Sequence, residues 1–332
     1  MLFVRASRLG DLLFCVPTMR GFRARWPEVE SALLSNHYSA AILGSVVGPG
    51  RLLERIHAFK GREGDLGGRA GRALLAELKP QGYDLLLPLR PRRQLRRFAE
   101  QLGLPYLYPP CEGDPPAAPG HAVEQSWERL RPLGLEGRPP SIALPKPAHG
   151  SGQPPYLLCH PGCDETLRWK HSFAQLRGKV RRRIWPEGHW RELLQRASAE
   201  LGMEVRVSSG NPREAAYVER LVRGLPGPKP RHHHGLSLSA FAGLVAGAAA
   251  LLTVDTGPLH VAAAFGTPLV GLYGPSTPSF TGPWLPDGGG QVLERSLPCR
   301  PCQGRGVHCV QNVCMSEITP DMALSAVRRQ IS

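Results

Sequence analysis

No Asp-x-Asp pair occurs anywhere in this 332-residue chain. Enzymes that grip a diphosphate through a divalent cation commonly present such a pair. Any diphosphate here is therefore expected to meet fixed cations and backbone dipoles, with no metal required. Long apolar runs are missing as well. No stretch approaches the roughly 18 consecutive apolar residues of a membrane span, so no transmembrane helix is expected. The opening Met1-Leu2-Phe3-Val4-Arg5 enters a strand at once, without a charged leader, apolar core and small-residue cleavage site in order. No signal peptide is expected, and a cytoplasmic protein with reduced cysteines is. Acidic residues are scarce: 27 Asp and Glu stand against 41 Lys and Arg, a formal charge of +14. That excess points to an anionic partner, such as nucleic acid, an anionic membrane surface or a phosphorylated substrate. Solubility alone would also account for it.

The remaining composition is that of a globular chain, 42% hydrophobic and 20% charged. Its length suits two domains better than one core. The alternation of elements indicates parallel α/β organisation. In the first half, Leu2 to Arg5 reads as a strand and Leu12 to Trp26 as a helix. Ser31 to Leu34 reads as a second strand, Ala70 to Leu78 as a helix and Gly82 to Leu89 as a strand. Residues 109 to 155 are dense in Pro, Gly and Ala, with a weak helix around His121 to Leu130. They are the best interdomain connection, so domains 1–150 and 151–332 are expected. The pattern then restarts with a strand at Tyr156 to Cys159, a helix from Glu187 to Leu201 and a strand from Met203 to Val207. Helices follow at Pro212 to Val222, Ser237 to Ala248 and Thr319 to Gln330. His232-His233-His234 resembles a metal tract but follows a Pro-rich stretch and reads as an exposed loop.

Of the 8 cysteines, Cys299, Cys302, Cys309 and Cys314 form a C-x2-C-x6-C-x4-C group near the end. Four thiolates at that density suit tetrahedral zinc, a structural site if present. Reduced thiols in a loop, or labile disulfides, fit the spacing equally.

The strongest signal is Thr253-Val254-Asp255-Thr256-Gly257-Pro258-Leu259-His260, continuing through a run of small residues to Phe265-Gly266 and Leu269 to Tyr273. It reads as strand, tight turn, helix, turn and strand. Pro258 suits the first turn of a helix and Gly266 its end. Asp255, Thr256 and His260 cluster where a parallel strand would stop. There, free N–H groups and a positive dipole end make a phosphate site. His260 sits one turn in and reads either as a phosphate donor or as a buried structural histidine. Near the start, Arg5-Ala6-Ser7-Arg8-Leu9-Gly10-Asp11 places a carboxylate after a strand and at a helix start. Asp11 by itself reads as a cap or dipole partner. Arg90-Pro91-Arg92-Arg93 and Arg96-Arg97 form a basic run with a solvated face as its default role.

These pieces together resemble glycosyltransferase family 9, the lipopolysaccharide heptosyltransferases. The resemblance covers the first loop, the Pro161-Gly162 and Trp185-Pro186 segment, the Asp-Thr-Gly-Pro-x-His signature and the cysteine-rich tail. It implies a GT-B fold: two facing Rossmann-like α/β domains with a cleft between them, the first for acceptor and the second for donor. It implies an inverting, metal-independent transfer of heptose from ADP-heptose to an anionic, lipid-linked inner-core saccharide at the cytoplasmic face of the inner membrane. Asp11 would be the general base, with Arg5, Ser7, Arg8 and Gly10 beside the acceptor. Asp255, Thr256, Gly257, Pro258 and His260 would bind the donor. The family pattern places a Lys shortly before Trp-Pro; here Arg183 holds that position across a long basic spacer, and Lys170 is the other candidate cation. Two other classes stay open: a nucleotide-sugar epimerase of GT-B architecture, and a basic nucleic-acid-binding protein with a zinc-bound tail. The resemblance implies no nucleic-acid partner.

Overall fold

Each half of the chain builds one all-parallel sheet whose central strands are buried on both faces. The computed structural model describes residues 1–37, 41–61, 63–67, 69–90, 92–107, 120–147, 153–163, 183–302 and 312–332. The chain divides into two units, Met1–Pro145 and Lys146–Ser332.

The first unit carries β1 (Leu2–Val4), β2 (Ala32–Asn36), β3 (Arg55–Phe59) and β4 (Leu86–Pro88), ordered β3-β2-β1-β4. Leu2, Phe3 and Val4 are wholly buried, as expected of a parallel strand covered by helices on both sides. The helix expected from Leu12 to Trp26 is two helices, Leu9–Leu13 and Val16–Arg25. Pro17 is the reason. It has no N–H to give to Leu13, and its ring excludes that carbonyl from a continuous helix. The strand expected over Gly82 to Leu89 shrinks to Leu86–Pro88, because Gly82 takes φ +65° to close the 3-10 turn Lys79–Gln81. The basic run continues into a helix, Arg93–Leu102, with Leu95, Phe98 and Ala99 buried and its arginines exposed.

The second unit carries β5 (Tyr156–His160), β6 (Glu204–Ser209), β7 (Arg231–His234), β8 (Ala250–Val254), β9 (Leu269–Tyr273) and β10 (Gly290–Glu294). Their order is β10-β9-β8-β5-β6-β7, the doubly wound arrangement of dinucleotide-binding folds. The histidine tract is corrected here. His232, His233 and His234 lie in β7, paired with β6, and are not a loop. Ser209 Oγ and His232 Nε2 are 3.0 Å apart, and the His232 and His234 rings share a face at 5.3 Å. An edge strand needs no apolar run, since one side meets solvent; its polar composition hid it.

Helix Gly257–Phe265 lies tightly on the sheet. A Cβ at Gly271 of β9 would stand 3.1 Å from Leu259 Cδ2, so the two elements meet because each offers small residues. The chain end packs back on the same core. Trp185 Nε1 donates to the Ile318 carbonyl at 2.7 Å, and Asn312 Nδ2 to that of Ile184 at 3.2 Å. Helix Pro320–Ile331 then buries Ala323, Leu324, Ala326 and Val327. No helix among the described residues is long and apolar enough to cross a membrane.

Candidate functional site

Strand order reverses between β1 and β4 in the first unit and between β5 and β8 in the second. Ligands of open α/β sheets sit beyond the carboxyl ends at such points. The singled-out polar residues fall there in both units.

In the first unit, Arg5 follows β1 and its side chain is 7% exposed, whereas that of Asp11, in the first turn of helix Leu9–Leu13, is 38% exposed. Arg5 Nη2 lies 3.7 Å from Asp11 Oδ2, and Arg5 Nε donates to the Asp11 carbonyl at 3.4 Å. The Ser7 carbonyl accepts from Asn36 Nδ2 at 2.5 Å. Arg8, exposed, stands at the start of the same helix, and Gly10 is buried within it. Glu63 had no sequence signal. It stands in the 3-10 turn Glu63–Gly67 with its side chain 6% exposed. Its Oε1 accepts from the Ala6 N–H at 3.1 Å and lies 3.5 Å from Arg5 Nη1. Arg92 Nε stands 3.9 Å from Oε2. Burial pushes the Glu63 carboxyl above its ordinary range, and the opposing pull of Arg5, the Ala6 N–H, Arg92 and Arg90 does not fully offset it. Burial, then Arg92 and Arg5, push Arg90 below its ordinary value. The rim beyond β1 and β4 is thus crowded with cations around one accessible carboxylate, suited to an anionic ligand that gives up a proton.

In the second unit, Asp255 directly follows β8 and is buried. Its Oδ2 accepts from Ser276 Oγ at 2.6 Å and lies 3.9 Å from Arg183 Nη1, which also donates to the Asp255 carbonyl at 3.3 Å. Thr256 is the cap residue of helix Gly257–Phe265 and makes no side-chain capping bond; Pro258 occupies the first turn. His260 is buried one turn in. Arg183 is therefore brought to Asp255, whereas Lys170 lies outside the described residues. Burial first, and the Asp255 charge second, raise Tyr273 well above its ordinary value. Arg300 braces this end of the sheet. It donates to the carbonyls of Gly274, Ser276 and Arg295 and pairs with Glu294 at 2.7 Å. Ser276 and Arg300 left no sequence signal, because Ser276 reaches Asp255 across 21 positions and Arg300 reaches Gly274 and Ser276 across 26 and 24.

At the end of β5, His160 Nδ1 lies 2.9 Å from Ser208 Oγ, and Nε2 lies 3.8 Å from Glu214 Oε2. Burial lowers the His160 pKa, with Glu214 pulling the other way. Of the cysteine group, Cys299 is exposed, Cys302 half-buried and Cys314 buried, its Sγ 3.7 Å from Asn312 Oδ1. Cys309 lies outside the described residues. Among the described residues, no group of three or more His, Cys, Asp or Glu gathers as a metal site.

The model of glycosyltransferase family 9 (heptosyltransferase) matches residues 174–309, a span that includes Arg183, Asp255 and His260. Lipopolysaccharide heptosyltransferase 1 of Pseudomonas aeruginosa is 43% identical over 121 residues, 36% of this chain and 32% of that protein. The matched segment thus spans about a third of the curated relative's length. Among solved structures, a family 9 glycosyl transferase from Veillonella parvula superimposes with a TM-score of 0.76 at 17% identity, covering 99% of this chain and 96% of that one. The Escherichia coli heptosyltransferase WaaC, solved with ADP, gives 0.70 at 19% identity, covering 99% of each chain. The fold is that of these GT-B proteins, and the local sequence likeness falls on the segment that carries the Asp255 cluster. The likeness to glycosyltransferase family 9 is thus carried in sequence by residues 174–309 and in fold by the whole chain.

Proposed function

We propose that this protein is an inverting glycosyltransferase that moves heptose from ADP-heptose to a lipopolysaccharide inner-core acceptor. The observation that carries the reading is the Asp255–Arg183–Ser276 cluster at the end of β8, inside the family-matched segment and at the start of helix Gly257–Phe265. The second unit would hold the donor. Asp255, Thr256, Gly257 and Pro258 would surround the sugar and phosphates, with His260 reaching a phosphate from one turn into the helix. Arg183, with Lys170 as the other candidate, would meet the diphosphate charge as it develops. Cations and dipoles fixed before reaction do that work without a metal. The first unit would take the acceptor, its anionic groups facing Arg8, Arg90 and Arg92.

Asp11 would act as general base. The acceptor hydroxyl attacks the anomeric carbon as the bond from that carbon to the ADP oxygen breaks. The hydroxyl proton passes to the Asp11 carboxylate, ADP leaves with the bonding electron pair, and the anomeric configuration inverts. Asp11 suits the task because it is the accessible carboxylate of its cluster, whereas Glu63 is buried. The acceptor's lipid would bring the protein to the cytoplasmic face of the inner membrane, touching it only peripherally and engaging no nucleic acid.

The test is release of ADP from ADP-heptose, which is expected only when acceptor is present. Asp11→Asn keeps the shape and removes the proton acceptor, so turnover is expected to fall about 10²–10⁴-fold. Donor affinity by calorimetry should stay near wild type. Near-normal turnover in D11N removes Asp11 from the role. ADP release without acceptor at the full rate removes the transferase reading.

A further inference from the structure

A second carboxylate stands behind the proposed base, and nothing in the transfer chemistry requires it to touch substrate. Glu63 and Ala6 exchange two hydrogen bonds: the Glu63 N–H donates to the Ala6 carbonyl and the Ala6 N–H donates to Glu63 Oε1, both at 3.1 Å. The turn after β3 is thereby locked to the loop after β1. A glutamine oxygen would accept from the Ala6 N–H equally well. The charge of Glu63 is costly where it lies, since the side chain is only 6% exposed and a buried carboxylate needs a compensating partner. Its partner is Arg5, which is also the partner of Asp11.

The guanidinium is split. Nη1 points at Glu63 Oε1, 3.5 Å away, Nη2 at Asp11 Oδ2, 3.7 Å away, and Nε at the Asp11 carbonyl. An arginine with one carboxylate for itself closes on both of its oxygens, the strong forked arrangement. That pairing favours the ionised form and lowers the pKa. A general base so paired is well placed but weak. With two carboxylates sharing one guanidinium, the fork cannot close on Asp11.

We propose that Glu63 is a positioning residue: by holding one arm of Arg5, it keeps the guanidinium from closing on both Asp11 oxygens and aligns that carboxylate through the other arm. The inference rests on the reading of Asp11 as base. Arg5 just after β1, Cys15, whose Sγ donates to the Asp11 carbonyl at 3.4 Å, and Arg90 beyond β4 all act on Asp11. Glu63 and Arg92 form the next layer. Every charged member other than Glu63 is cationic, so Glu63 is the group that offsets their field.

The experiment is the pH profile of kcat/KM in Glu63→Gln. Removing one unit charge a guanidinium away, with the effective dielectric near 20 and solvent reaching Asp11, should move the acidic limb down by about half a unit to one unit. The kcat plateau should fall several-fold, and ADP-heptose affinity by calorimetry should not change. A purely structural Glu63 would lower melting temperature and rate without moving the limb. A folded E63Q whose acidic limb stays at the wild-type pH overturns the proposal. If E63Q does not fold, Glu63→Asp carries the test. It keeps the charge but withdraws it by one methylene, so kcat is expected to drop several-fold with donor KM unchanged, and wild-type kcat overturns the proposal. The D11N result separates the layers. Lost turnover there with an unmoved E63Q limb sinks only the role of Glu63, whereas retained turnover in D11N sinks the base and, with it, Glu63.

Discussion

Gly162→Ala should destabilise the second unit through one contact. Gly162 follows β5, and an added Cβ would stand 2.6 Å from Glu214 Cδ, 2.7 Å from its Cγ and 3.0 Å from its Oε2. Carbon atoms rest at about 3.5–4.0 Å, so the carboxylate must withdraw by roughly 1 Å. It is not free to do so. The side chain is 8% exposed, and Oε2 accepts from the Gly210 N–H at 2.7 Å while lying 3.8 Å from His160 Nε2. Holding its place overpacks the site at about 1–3 kcal/mol. Moving away leaves a buried N–H unpaired, at about 1–3 kcal/mol. Either way the loss is about 1–3 kcal/mol, which corresponds to a fall of roughly 2–12 °C in the melting of a domain this size. Scanning calorimetry measures it. A double-mutant cycle with Glu214→Ala isolates the cause, since truncation makes room for the methyl and should give a favourable coupling of about 1–2 kcal/mol. A G162A protein that melts with the wild type, or a cycle that shows simple additivity, refutes the reasoning.

Three further expectations bear on the same unit. Asp255→Ala removes the acceptor for Ser276 Oγ and the counter-charge of Arg183, so ADP-heptose affinity should drop at least about tenfold; unchanged calorimetric binding would sink the donor placement. His160 is buried with a lowered pKa, so the unfolded chain takes up its proton first as pH falls below about 6.5. Stability is therefore full above that value and lost below it, at up to about 1.4 kcal/mol per pH unit from this group. His160→Gln should flatten that part of the slope in urea titrations, and an identical slope in both proteins would contradict it. Turnover in a chelator is expected within a few-fold of that in magnesium. Loss of activity restored by magnesium, with melting unchanged, would show that Arg183 and the helix start do not suffice.

How much of this could be read from the residues depended on whether the cause was local. Asn211-Pro212 reads as a helix start because the Asn side chain caps the Arg213 and Glu214 N–H groups, both at 3.1 Å. Gly266 reads as a stop because the chain there turns left-handed, φ +62°. The Asp255 signature was legible for the same reason: strand, cap and helix are consecutive, and each is dictated by its neighbours. β3 and β7 were not legible, because Arg-Ile-His-Ala-Phe and Arg-His-His-His have no apolar run; pairing with β2 and β6 makes them strands. Glu63 marks the limit most sharply. Its hydrogen bond to Arg5 spans 58 positions, and the turn that carries it packs closely because Gly71 has no side chain: a Cβ there would overlap the Leu66 carbonyl oxygen. A glycine in an amphipathic helix and a glutamate in a loop say nothing to each other along the chain. The Asp11 carboxylate was therefore visible in the sequence, while Glu63, the second carboxylate on Arg5, came into view only when the sheet brought β1 and the turn after β3 together.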